Sequence, residues 1–133
     1  MNKILVFGAG YVGLANAIML AKNHDVTIFD VDQSKIDLIN QSKISIEDSL
    51  AESFMSEHNL NLSADFFNPS YLNNVDAIIL ALPTNYDERS NSFNTKILEE
   101  VLSELHSLSI DKSIIIIKST VPVGFTSMMQ ERF

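Results

Sequence analysis

The chain contains no cysteine, so it holds no disulfide framework, no thiolate metal site and no thiol nucleophile of its own. Basic residues are scarce: 9 Lys and Arg stand against 17 Asp and Glu, for a formal net charge of −8. That balance argues against nucleic acid and against an anionic membrane surface as partners. Long apolar runs are missing too, and none approaches the length of a membrane span. Met1-Asn2-Lys3 leads straight into an apolar segment without a leader of secretory type, so the cytoplasm is the expected compartment. The histidines, His24, His58 and His106, are scattered, with no acid or nucleophile at motif spacing. They read as surface or helix-end residues, and no metal site is expected. Repeats, low-complexity tracts and linkers are absent. With 133 residues, 46% of them apolar, residues 1–133 read as one domain with a real core.

What is present is concentrated near the start. The apolar run Ile4-Leu5-Val6-Phe7 leads into Gly8-Ala9-Gly10-Tyr11-Val12-Gly13, and a second run, Val26-Thr27-Ile28-Phe29, ends in Asp30. This reads strand, tight turn, helix, strand, acid. Gly8 allows the turn off the strand, Gly10 lets a pyrophosphate approach the backbone, and Gly13 lets the helix lie close to the sheet. The helix N-terminus presents free N–H groups and a partial positive charge to the phosphates. Asp30 is placed to accept hydrogen bonds from the adenosine ribose. A glycine-rich turn that binds nothing would not explain the acid ending the second strand. Asp30 and Asp32 would repel a 2′-phosphate and no arginine lies nearby, so NAD is expected rather than NADP. Lys35 could reach the adenosine end or be an ordinary solvated lysine.

Along the chain, strands are expected over 3–7, 25–30, 60–67 (an edge strand), 75–82 and 113–118. Helices are expected from Tyr11 to about Asn23, with Val12, Ala15, Ile18 and Met19 toward the sheet, over 33–41, from Glu47-Asp48-Ser49 to about His58, and from Phe125 onward. Asn68-Pro69-Ser70 starts a turn or a single helical turn. Residues 77–82 are expected to be buried, and residues 83–91 read as a polar loop. Asn94 can cap a helix whose core face repeats at Ile97, Val101, Leu105 and Leu108. The order is that of a doubly wound parallel sheet, the Rossmann fold, stopping after about five strands. The last helix runs to Phe133 without a stop signal, which suggests a piece of a longer protein. Thr84 and Thr120 each follow a central strand at the ligand-bearing edge. Their hydroxyls either point into the crevice or bond locally to the backbone.

Three stretches carry a resemblance. Gly8-Ala9-Gly10-Tyr11-Val12-Gly13-Leu14, Leu82-Pro83-Thr84-Asn85-Tyr86-Asp87 and Ile117-Lys118-Ser119-Thr120-Val121-Pro122-Val123-Gly124 are together similar to the N-terminal region of the UDP-glucose 6-dehydrogenases, in the UDP-glucose/GDP-mannose dehydrogenase family. The resemblance runs the whole length of the chain, and the second and third stretches are far more specific than the first. It implies NAD-dependent, four-electron oxidation of UDP-glucose to UDP-glucuronate through an aldehyde, a cysteine thiohemiacetal and a thioester. By position, Tyr11 and Val12 would meet the pyrophosphate, and Asp30 and Lys35 the adenosine ribose. Leu82, Pro83 and Thr84 would line the cofactor cleft. Ser119 and Thr120 would sit by the nicotinamide, with Thr120 helping to place the water of the hydrolytic steps.

The chain departs from the family at Ile44-Ser45-Ile46-Glu47, where a proline usually follows the second helix. The family's catalytic cysteine, lysine, asparagine and late aspartate lie beyond this region, as does a glutamate. The expectation is therefore a chain that binds NAD but does not turn over UDP-glucose. It is expected to be a monomer, because the family's dimer helix is also missing, with an exposed edge beside the fifth strand; the full-length enzyme is expected to be a homodimer. Two other readings remain: an NAD-sensing regulatory module such as those attached to potassium channels, and the cofactor domain of another nucleotide-sugar dehydrogenase.

Overall fold

The computed structural model describes residues 1–110 and 112–133. Its elements are β1 (Lys3–Phe7), α1 (Tyr11–Leu20), β2 (Asp25–Phe29), α2 (Gln33–Asn40), α3 (Ser49–Glu57), β3 (Leu62–Asp65), a 3-10 turn (Pro69–Leu72), β4 (Ala77–Leu80), β5 (Tyr86–Asp87), β6 (Ser92–Phe93), α4 (Lys96–Ser107), β7 (Ile114–Ile117) and α5 (Phe125–Arg132). The main sheet has five parallel strands in the order β3-β2-β1-β4-β7. The doubly wound parallel sheet read from the sequence is the fold found.

The central strand explains the layering. Successive side chains of a strand point to opposite faces, and in β1 both faces are covered. Ile4 and Val6 join a cluster with Leu14, Ile18, Ile36 and Ile39 of α1 and α2. Leu5 and Phe7 join Leu98, Leu102, Leu105, Phe125 and Met129 of α4 and α5 on the other side. Leu5, Leu14, Ile28, Ile78 and Leu98 are completely buried, and each such side chain contributes about 1.5–3 kcal/mol relative to exposure. Asp48 caps α3, accepting from the N–H groups of Leu50 and Ala51 at 3.1 and 3.0 Å, so the helix begins at Ser49 rather than at Glu47.

Several expectations are corrected. Helix α1 ends at Leu20 and buries Gly13, Leu14, Ala17 and Ile18; Val12, Ala15 and Met19 are exposed. The segment is apolar nearly all round, so its periodicity does not choose a face; Gly13 pressed on the turn does. In α4 the buried face is Leu98, Leu102 and Leu105, with Ile97 exposed and Val101 and Leu108 half-buried beside it. The strands β3, β4 and β7 are shorter than expected, and Ala77, Ala81 and Leu82 are only half-buried. Asn94 does accept from the first helical N–H, Lys96, at 3.1 Å, although Thr95 occupies the cap position itself. The polar loop after β4 leads into an antiparallel hairpin, β5 against β6, with Tyr86 and Phe93 edge to face and their ring centres 5.3 Å apart.

Candidate functional site

The crevice begins where β1 ends. Gly8 has φ +102°, in the left-handed region, and a Cβ on it would stand 2.3 Å from the Ala81 carbonyl oxygen. A Cβ on Gly13 would stand 1.8 Å from the Gly8 carbonyl oxygen. Both positions therefore require glycine for reasons internal to the chain. Gly10 differs, because a Cβ there meets nothing within 4 Å. The space in front of Gly10 is open, as close approach of a pyrophosphate to the backbone demands.

Helix α1 starts at this point with no side-chain cap on Gly10 and no acid in its first turn. The first N–H groups of a helix have no intrahelical acceptor, and those of Tyr11, Val12 and Gly13 take no backbone partner among the described residues. Such free N–H groups, with the positive end of the helix behind them, suit an anion.

Asp30 stands at the end of the neighbouring strand β2 and is half-buried. One carboxylate oxygen accepts from the Ala9 N–H at 2.9 Å and the other from the Asp32 N–H at 2.9 Å. Asp30 thus fastens the glycine turn and keeps acceptor capacity on each oxygen for a further donor. Asp32 caps α2, accepting from the Ser34 N–H at 2.9 Å and the Ser34 hydroxyl at 2.6 Å. The Ser34 hydroxyl bond, then its N–H, holds the Asp32 carboxyl below the usual carboxylate range. Lys35 lies half-buried in the first turn of α2 and forms no ion pair among the described residues. The structure brings Asp30, the glycine turn and the α1 N-terminus together, but makes no direct bond between Lys35 and Asp30.

Across the turn, the segments after β4 and β7 form the other side of the crevice. Leu82 and Thr84 are half-buried and Pro83 is exposed. The Thr84 hydroxyl donates to the Thr120 carbonyl at 2.6 Å, and the Ser119 hydroxyl donates to the Leu82 carbonyl at 2.8 Å. Of the two readings of Thr84, backbone bonding is the one realised, across to the neighbouring loop. Thr120 is exposed and its side chain has no hydrogen-bond partner among the described residues.

Sequence reasoning missed three contributors: the Ala9 N–H, the Ala81 backbone behind Gly8, and the β5–β6 hairpin rising from this edge. Only the hairpin had a local signal, strand-forming Tyr86 and Phe93 flanking a polar turn. Two of the three histidines do structural work: His24 Nδ1 accepts from the Asn2 N–H at 3.3 Å, and the His58 ring stacks on Phe54 with centroids 4.0 Å apart.

These residues fit a dinucleotide: an open backbone at Gly10, uncapped helix N–H groups, and an acid on the strand beside them. Comparison with known proteins gives the same picture. Residues 2–133 match the family model described as "UDP-glucose/GDP-mannose dehydrogenase family, NAD binding domain". A UDP-glucose 6-dehydrogenase of Campylobacter jejuni is 41% identical over 133 residues, covering 98% of this chain and 34% of that protein. One from Streptococcus pneumoniae is 38% identical, covering 98% of this chain and 33% of that protein. Among solved structures, a GDP-mannose dehydrogenase of Pseudomonas aeruginosa superposes with a TM-score of 0.80 at 26% identity, over 93% of this chain and 30% of that one. The chain therefore spans about a third of the length of the curated relatives it matches. With the family model spanning residues 2–133 and relatives 41% and 38% identical over nearly the whole chain, this chain belongs to the UDP-glucose/GDP-mannose dehydrogenase family, as its NAD-binding domain.

Proposed function

We propose that residues 1–133 form one cofactor domain of a UDP-glucose 6-dehydrogenase, an enzyme that oxidises UDP-glucose to UDP-glucuronate with two NAD. The observation that carries the cofactor half of this reading is the fastened pair Asp30–Ala9 beside the open backbone of Gly10. The substrate half rests on the 41% and 38% identity to relatives of that name. NAD, when bound, supplies hydride acceptance.

The chain's own residues bind and orient. The Tyr11 and Val12 N–H groups meet the pyrophosphate, with Gly8 and Gly13 holding the turn and Gly10 admitting the phosphates. Asp30 accepts from the adenosine ribose, and Lys35 lies at the same end. Leu82, Pro83 and Thr84 line the cleft, and Ser119 and Thr120 stand toward the nicotinamide. The exposed hydroxyl of Thr120 is the group of this chain that places water for hydrolysis. No cysteine is available for a thioester, so this chain alone binds NAD and does not turn over UDP-glucose. It is a monomer in solution, the complete enzyme a homodimer, and the compartment is the cytoplasm.

Calorimetric titration of the purified chain with NAD and with NADP tests the reading. NAD binding with NADP at least about tenfold weaker is expected, since a 2′-phosphate would face Asp30 at a cost of about 1.4 kcal/mol or more. Equal affinity removes Asp30 from cofactor choice. NADH formation from UDP-glucose by the same sample overturns the inactivity.

A further inference from the structure

Two hydroxyls cross between the loops that follow β4 and β7, in opposite senses. Thr84, on the β4 side, donates to the Thr120 carbonyl at 2.6 Å. Ser119, on the β7 side, donates to the Leu82 carbonyl at 2.8 Å and lies 3.4 Å from the Leu80 carbonyl. Beneath them the last backbone bonds of the sheet run from the Lys118 and Ser119 N–H groups to Leu80 O at 2.8 and 3.2 Å. Beyond that point the backbones part, one toward the β5–β6 hairpin and the other toward α5. The two side chains carry the β4–β7 pairing past the end of the sheet.

A serine or threonine hydroxyl has one proton to donate. Thr84 and Ser119 have each given theirs to a carbonyl, so neither can donate to a ligand. Thr120 is the reverse: its carbonyl is held by Thr84 while its side chain is exposed and unbonded among the described residues. The strand order places this pair on the opposite side of β1 from Asp30. A dinucleotide whose pyrophosphate crosses the glycine turn, with its adenosine over β2, sets its nicotinamide half over β4 and β7.

We propose that Thr84 and Ser119 are positioning residues, a reciprocal hydroxyl stitch that holds Thr120 and the nicotinamide end of the crevice in place. This deepens the NAD-binding reading and rests on it. The stitch acts on the nicotinamide half of the cofactor alone.

The test titrates wild type, Thr84→Val, Thr84→Ser and Ser119→Ala with NAD and with ADP-ribose, which lacks the nicotinamide. Thr84→Val and Ser119→Ala weaken NAD by about two- to tenfold, the value of one hydrogen bond, and leave ADP-ribose affinity unchanged. Thr84→Ser restores NAD binding. Equal losses on both ligands, no loss on NAD, or failure of serine to rescue overturns the stitch. If wild type binds neither nucleotide, the cofactor reading of the isolated chain fails and amide exchange decides the stitch separately. Thr84→Val must then speed exchange at residues 119–121 and spare residues 8–14; unchanged exchange at 119–121 overturns it.

Discussion

On the β3 edge of the sheet, a side chain stands in for the next strand. The Asn40 amide donates to the Ala64 carbonyl at 2.9 Å and accepts from the Ala64 N–H at 2.8 Å, as a paired strand would. At the other end of the strand order, no side chain among the described residues does this for β7. Its outer face is also uncovered: Ile114 is 67% exposed and Ile116 39%. Alongside it runs an apolar groove of about 600 Å³ between α4 and α5, lined by Leu102, Ile115, Met129 and Phe133 among others. One flank of β1 is finished within this chain. The other presents open strand and bare isoleucine, a surface that soluble proteins ordinarily blunt or cover.

The turn that joins the two flanks is the most sensitive place to break them. Gly13→Ala puts a Cβ 1.8 Å from the Gly8 carbonyl, and Gly8 itself is backed by Ala81 of the other flank. Neither backbone can yield, so a loss of about 3 kcal/mol or more is expected, read as loss of cooperative thermal unfolding. Gly10→Ala is the control. It meets no atom of the chain, so it keeps its melting temperature while losing NAD binding.

Opening the finished edge comes next in size. Asn40→Ala leaves the N–H and C=O of Ala64, a residue only 7% exposed, without their partners. The expected cost is about 1–3 kcal/mol in denaturant unfolding, with faster exchange of the Ala64 amide. A stability unchanged by this substitution would mean that the two edges do not differ as described.

The unfinished edge should respond in the opposite way. Ile116→Thr is expected to change stability by no more than about 0.5 kcal/mol in denaturant unfolding. Ile28→Thr, fully buried on the closed flank, should destabilise the chain severely. Equal costs at the two isoleucines would erase the asymmetry.

The smallest effect is one of pH, again on the closed flank. The Tyr71 hydroxyl hydrogen-bonds Asp65 at the end of β3. That bond, more than the Phe66 N–H, holds the Asp65 carboxyl below its usual range, and it raises the Tyr71 hydroxyl above its own. A lowered carboxyl contributes stability that is present above the unfolded value of about 3.9 and lost as pH falls through the folded value. Tyr71 contributes below about 10, lost as pH rises through its raised value. Tyr71→Phe should flatten the acid limb of stability in melts taken between neutral pH and pH 3; an unaltered limb would remove this pair from acid unfolding.

How far all this could be read from residues alone depended on range. The run Ile4–Phe7 and the spacing of Gly8, Gly10 and Gly13 before Asp30 are local, and they located the sheet centre and the crevice. The faces of α1 and α4 differ from the expected ones at Val12, Ala15, Met19 and Ile97 because both helices carry competing apolar stripes, and only packing against the sheet selects one. The Asn40–Ala64 and Thr84–Thr120 bonds join residues 24 and 36 apart, and no local pattern announces such a partner. Asn40 reads as a helix-end residue and Thr84 as a loop residue until the topology sets each beside a carbonyl.

The double attachment of Asp30 has a kinetic consequence. Both carboxylate oxygens are already anchored by the N–H groups of Ala9 and Asp32, so the acid has no rotamers to give up when a ribose arrives. Immobilising a free side chain of this kind on binding typically costs about 0.5–1.5 kcal/mol; here that ordering is completed during folding. The adenosine end of the cofactor should accordingly engage a rigid socket at a rate set by encounter, without a slow rearrangement step.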